Sequence, residues 1–105
     1  IKKGKKIFLY GASTKGNTLL QYYNLNNKII PFAAERSPEK WGKYTIGTGI
    51  KIISEKMARD LNPDYFFVTP WGFIKEFIHR EKKWLRDGGR FIVPFPKFRL
   101  IKHNE

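Results

Sequence analysis

The sequence predicts an α/β domain built on a small parallel sheet. Three observations carry this. Short apolar runs alternate with segments of helical spacing, which implies parallel strands joined by right-handed crossovers. The first run, Ile7-Phe8-Leu9-Tyr10, passes straight into a glycine-initiated turn, Gly11 to Asn17, that opens a helix. And 105 residues without a cysteine suffice for one hydrophobic core with no disulfide frame.

The elements follow in order. Ile7 to Tyr10 is apolar on both faces, as a buried parallel strand requires. Asn17 to Tyr23 reads as a short helix with Leu19, Leu20 and Tyr23 at helical spacing. Ile29 to Ala33 is the second strand; Pro31 inside it is tolerable at an edge or a bulge. Glu35 to Gly49 is irregular, with Pro38, Gly42, Gly47 and Gly49. Ile50 to Ile53 is a third strand, and Ser54 caps a helix through Leu61. Tyr65 to Thr69 is the fourth strand, broken by Pro70-Trp71-Gly72. Phe73 to Leu85 is one helix with Ile74, Phe77, Ile78, Trp84 and Leu85 on its apolar face, ended by Asp87-Gly88-Gly89. Arg90 to Phe95 is the fifth strand, and the basic tail from Pro96 is expected to be loose. The result is a Rossmann-like parallel sheet of about five strands, order 3-2-1-4-5, flanked by helices. Its crevice lies at the ends of strands one and four, between Gly11–Asn17 and Thr69–Phe73.

Net charge is +12, from 21 Lys+Arg against 9 Asp+Glu. Such a balance suits a polyanion partner. The basic residues are nevertheless scattered, and Glu81 and Asp87 interrupt the stretch from Arg80 to Arg90, which argues for a solvated surface over a nucleic-acid groove. No apolar run approaches the ~20 residues of a membrane span, so a cytoplasmic protein is expected. With no cysteine and only His79 and His103, a metal site is not expected. The first residue is Ile1 rather than Met, and residues 1–105 are expected to be a fragment of a longer protein.

The turn after Tyr10 carries the chemistry. Gly11 and Gly16 have the spacing of the first and third glycines of a dinucleotide fingerprint, but Ser13 replaces the middle one. That glycine lets the backbone approach a pyrophosphate; a serine fills the space and offers a hydroxyl. An acidic residue should follow about 20 positions on to hold a ribose, and Glu35 is so placed. Arg36 beside it can instead take a phosphate. Lys15 precedes Gly16, whereas an ATP-binding P-loop needs its lysine after the glycine, which excludes that loop. The alternative is a turn without ligand: Gly11 for the bend, Gly16 for close packing, Ser13 or Thr14 as the cap. Trp41 to Gly49 mixes aromatics, glycines and hydroxyls; its Trp41 and Tyr44 either stack on a base or sugar or anchor the loop in the core. The acids Glu35, Asp60, Asp64 and Glu76 sit on separate elements, and no catalytic set is suggested.

Several motifs carry a family resemblance. Gly11-Ala12-Ser13-Thr14-Lys15-Gly16-Asn17-Thr18 resembles the opening turn of the C-terminal domain of SAM-dependent sugar C-methyltransferases. So do Glu35 to Tyr44, Gly47-Thr48 with Ile50, Pro70-Trp71-Gly72-Phe73, and Gly88 to Pro94. The likeness runs from about Lys5 to Leu100. Gly72 departs from it, standing where relatives often carry a larger polar residue.

The resemblance implies a three-part enzyme that methylates a carbon of a nucleotide-linked keto-deoxysugar. It places zinc in an N-terminal part and SAM with the catalytic residues in a central domain, both outside this chain. The expectation is a sugar-nucleotide-binding domain that contacts the SAM-binding domain, needs no cofactor of its own and is inactive alone. Its expected contacts are Gly11, Ser13, Thr14, Lys15, Gly16 and Asn17, with Glu35, Arg36 and Tyr44 next. The alternatives are an NAD-binding module, which Glu35 favours and Ser13 opposes, and a nucleic-acid-binding domain, which rests on charge alone.

Overall fold

A computed structural model describes residues 5–11, 18, 20–22, 24–69, 71–94 and 98–102, with Trp71 through its backbone. The strands are β1 (Ile7–Tyr10), β2 (Phe32–Glu35), β3 (Lys51–Ser54), β4 (Tyr65–Val68), β5 (Arg90–Val93) and β6 (Arg99–Ile101). The helices are α1 (Glu55–Asp60), α2 (Ile74–Arg80) and α3 (Lys82–Arg86), with 3-10 turns at Pro38–Lys40 and Trp71–Phe73. The six strands lie in the order β3-β2-β1-β4-β5-β6. The first five are parallel, and Leu9 pairs with both Ala33 and Phe67. The α/β class and the 3-2-1-4-5 order are therefore correct.

The strand number is corrected from five to six. The tail expected to be loose returns along β5 as antiparallel β6, with Phe91 opposite Ile101 and Val93 opposite Arg99. Ile101 is buried against the core, which explains the return. Three residues are too few for an alternating pattern to be read within a basic tail.

Other boundaries moved, most by a single residue and three by more or with a change of shape. The second strand begins at Phe32, not Ile29, because proline has no N–H for the ladder. Pro31 instead contributes its carbonyl, which accepts from the Lys51 N–H. The single helix expected from Phe73 bends at Glu81, where φ is −103° and ψ is 26°. Backbone bonds bridge the bend, from the Glu81 N–H to the Phe77 carbonyl and from the Leu85 N–H to the Glu81 carbonyl. The fifth strand stops at Val93, two residues short of the expected end. By contrast, α1 starts where expected: Ser54 Oγ accepts from the Met57 N–H at 3.0 Å.

Both sheet faces are apolar, and all four residues of β1 are buried. One face meets the helices through an aromatic cluster. Tyr10 packs edge-on against Phe66 (4.9 Å) and Phe77 (4.7 Å), and Trp84 lies 4.7 Å from Phe66 and 5.2 Å from Phe91. The opposite face gathers Ile7, Leu9, Leu20, Ile30, Ile52 and Phe67. Thr18 and residues 20–22 are helical, inside the helix expected there, and Asn24 at φ 57° follows them.

The irregular segment after β2 folds onto the outer edge of β3. The Gly42 N–H donates to the Ile52 carbonyl, the Ile52 N–H to that of Lys43, and the Thr45 N–H to that of Ile50. Tyr44 bridges antiparallel to Lys51. This covers an edge strand that would otherwise offer unpaired backbone groups.

Candidate functional site

Parallel α/β sheets leave a crevice at the carboxyl ends of their strands where successive crossovers depart in opposite directions, which in this order is between β1 and β4. The described cleft instead stands over the ends of β1 and β2: Gly11 follows Tyr10, the last residue of β1, and Arg36 follows Glu35, the last residue of β2. Gly11 takes φ 87°, and its N–H donates to the Ala34 carbonyl at 2.8 Å, so the chain turns away as soon as β1 ends. A cleft of ≈ 380 Å³ opens at this point on the helix side of the sheet. Tyr10, Gly11, Glu35 and Arg36 form its sheet wall; Glu55 of α1 and Phe73, Glu76, Phe77 and Arg80 at and within α2 form the rest.

The floor is a hydrogen-bonded ionic network. The buried Tyr10 hydroxyl donates to Glu81 Oε2 at 2.7 Å and accepts from Arg80 Nε at 3.2 Å. Arg59 grips the Glu81 carboxylate with two nitrogens, at 2.7 and 2.6 Å, and reaches Glu55 at 3.2 Å. Arg80 also lies over the Tyr10 and Phe77 rings, 5.8 and 5.2 Å from their centroids. Burial, then the hydrogen bond to Glu81, push the Tyr10 phenol well above its ordinary range. The hydrogen bond to Glu81 raises the Arg59 guanidinium further, outweighing burial.

Nearer the mouth the contacts lengthen. Glu76 Oε2 lies 3.4 Å from Arg80 and 3.7 Å from Arg36, and Arg80 lies 3.8 Å from Glu55. Phe73 is 62% exposed, although its ring touches that of Phe77. Glu35 Oε2 accepts from the Ser37 N–H at 3.1 Å. The Thr69 hydroxyl, just past the end of β4, is buried without a partner among the described residues.

Of the residues expected at the site, Gly11, Glu35 and Arg36 line this cleft. Tyr44 is placed elsewhere, 61% exposed on the hairpin at the β3 edge. Trp41 ties that hairpin to the site, since its indole N–H donates to the Glu35 carbonyl at 2.7 Å. Ser13, Thr14, Lys15, Gly16 and Asn17 lie outside the described residues. The sequence reading missed Tyr10, Glu55 and Arg80, and set Glu76 apart from Glu35. Of the four acids that it assigned to separate elements, Glu35 and Glu76 share one cleft with Glu55, while Asp60 and Asp64 do not line it. The available signal was the Glu76–Arg80 spacing, one helical turn, on the helix that follows the crevice strand. Among the described residues no group of His, Asp and Glu is arranged to hold a metal ion, and no helix is long and apolar enough to cross a membrane.

A mostly parallel sheet with a polar cleft at the ends of its first two strands defines a Rossmann-like α/β domain. Comparison with known proteins narrows the class. Residues 1–96 match the C-methyltransferase C-terminal domain family. The chain is 40% identical over 101 residues to the C-methyltransferase NovU of Streptomyces niveus, covering 96% of this chain and 24% of that protein. The chain belongs to the family of C-methyltransferase C-terminal domains, and it spans about a quarter of the length of this relative.

Proposed function

We propose that this domain holds a sugar-nucleotide substrate for a SAM-dependent C-methyltransferase and performs no methyl transfer by itself. The observation that carries the proposal is the cleft at the ends of β1 and β2, where Glu35 and Arg36 meet Glu76 and Arg80. Carboxylates accept from hydroxyl groups and guanidiniums donate to hydroxyl or phosphate oxygens. None of the described lining groups is arranged as a nucleophile beside a base.

Ser13, Thr14, Lys15, Gly16 and Asn17 would line the Gly11 side and meet the charged end of the substrate. Tyr44 would be an outer contact, on the hairpin that Trp41 ties to Glu35. Methyl donor and zinc would belong to parts of the enzyme outside this chain, which has no cysteine with which to build a thiolate site. Titration of the chain with UDP- and dTDP-sugars should show saturable binding, weakened by Lys15→Ala. Incubation with SAM and the same sugars should yield no methylated product; transfer by the chain alone would sink the proposal.

Glu35 also favours a second reading. It ends β2 and faces the cleft, where a dinucleotide-binding domain keeps the carboxylate for its ribose. Micromolar NAD binding that disappears in Glu35→Ala would promote that reading over the first.

A further inference from the structure

We propose that the sheet face opposite α2 and α3, along β4, β5 and β6, is a docking surface for the rest of the C-methyltransferase polypeptide, which meets it with an apolar patch that carries a carboxylate. The inference rests on family membership and not on the sugar-nucleotide reading, so either can fail alone.

The two faces of these three strands differ. Phe66, Phe91 and Ile101 point to one side, where Phe77 and Trp84 of the helices bury them. Tyr65, Phe67, Ile92 and Leu100 alternate to the other. With Phe98 they line an apolar groove of ≈ 380 Å³, and none of α1, α2 and α3 contributes to its lining. Phe98 is 67% exposed and Leu100 44%. Parallel strands are built to be buried on both faces, and an apolar patch left open on one of them marks a contact. The sheet edge agrees. The hairpin closes the β3 edge, whereas β6 ends the sheet without a further strand among the described residues. Open face and open edge meet at Leu100.

Length and charge decide what covers this face. The chain corresponds to 24% of NovU, so about three quarters of such an enzyme lies outside it. Chain joined to the domain meets this surface at high effective concentration. A second copy is opposed by charge, because two domains of +12 repel each other. Arg90 selects the chemistry of the partner. It stands opposite Tyr65 and two residues before Ile92, so it belongs to the same face. Its Nε is buried without a hydrogen-bond partner among the described residues. A carboxylate arriving with the partner supplies the guanidinium with an acceptor and an opposite charge.

Hydrogen exchange of this chain and of the full-length enzyme that carries it tests the proposal. Amides of residues 90–93 and 98–102 should exchange about tenfold more slowly in the full-length enzyme. Leu100→Asp and Phe98→Ser should each abolish most of that protection, and Arg90→Gln part of it. In the chain alone, Leu100→Asp and Phe98→Ser alter exposed side chains and should leave the thermal melt nearly unchanged, which separates docking from folding. Tyr44→Ser, exposed at the far edge of the sheet, should leave exchange at 90–93 and 98–102 as it is. Equal exchange in the two proteins would overturn the proposal, as would protection that survives both Leu100→Asp and Phe98→Ser. Sedimentation of the chain as a dimer that Leu100→Asp splits would also overturn it and assign the face to a second copy.

Discussion

The Tyr10 hydroxyl donates to Glu81 Oε2 at 2.7 Å, joining residues 71 positions apart, and both side chains are buried. The bond ties the last residue of β1 to the bend between α2 and α3. Arg80 donates to the same phenol oxygen, so one wall of the cleft is positioned from the core. Removing one member of such a buried set leaves its partners unsatisfied, which costs more than the set contributes when intact.

Tyr10→Phe should therefore cost about 1–3 kcal/mol, because the buried Glu81 carboxylate loses a donor. In a Glu81→Leu background the same change should cost clearly less, since the acceptor has gone and only the 3.2 Å contact from Arg80 is lost. Urea unfolding of the wild type, both single variants and the double variant measures this coupling. Additivity within about 0.5 kcal/mol would show that the two residues do not interact.

The same contact predicts alkaline sensitivity. Burial first, and the Glu81 hydrogen bond second, raise the Tyr10 phenol in the fold, whereas the unfolded chain loses that proton near pH ~10. The native state then holds the extra proton. This contribution is fully present below pH ~10 and is lost as pH rises toward the raised native value. Urea midpoints should fall more steeply above pH ~10 for wild type than for Tyr10→Phe, by up to about 1.4 kcal/mol per pH unit. Parallel curves would remove Tyr10 as the cause.

Much of this architecture was legible because the signals are local. Ile7 to Tyr10 and Tyr65 to Val68 are apolar on both faces, and Ser54 marks a helix start, so strand and cap could be read within a few residues. Gly11 announced the turn, and Glu35 and Arg36 followed from chain distance. What stayed hidden depends on tertiary contact. Nothing local makes Arg99 to Ile101 a strand; the exposed edge of β5 and the pocket for Ile101 do. Nothing local distinguishes Glu81 from its charged neighbours, yet Arg59 and Tyr10 converge on it from elements far away in sequence. Glu55, Glu76 and Arg80 entered the cleft for the same reason: two helices present them to one point above the sheet.

Gly89 makes a sharper test of core packing than Gly88. A Cβ at Gly89 would run into the Trp84 ring. That ring cannot easily yield, since its N–H donates to the Pro63 carbonyl at 3.0 Å and its faces meet Phe66 and Phe91. Gly88 has open space but sits at φ 109°, so only backbone strain opposes a side chain. Gly89→Ala should cost at least the upper part of the 1–3 kcal/mol typical of overpacking, and Gly88→Ala about 1 kcal/mol. At roughly 4–8 °C per kcal/mol in a domain of this size, thermal melts would separate them. The reverse order would mean that Trp84 moves aside.

Arg36 and Arg80 share Glu76 but should behave differently. The Arg36 side chain is 66% exposed and its contact with Glu76 is 3.7 Å long. Such a pair contributes about 0–1 kcal/mol, so Arg36→Ala should leave the urea midpoint nearly unchanged. If the cleft holds the sugar nucleotide, affinity for UDP-glucose should nevertheless fall about threefold to tenfold, the worth of one charge-assisted hydrogen bond. Arg80 also stacks on Phe77 and bonds Tyr10, so Arg80→Ala should lower stability and affinity together. Melting and titration of both variants distinguish a residue that only meets ligand from one that also supports the floor beneath it. Unchanged UDP-glucose affinity in Arg36→Ala would exclude Arg36 from the site.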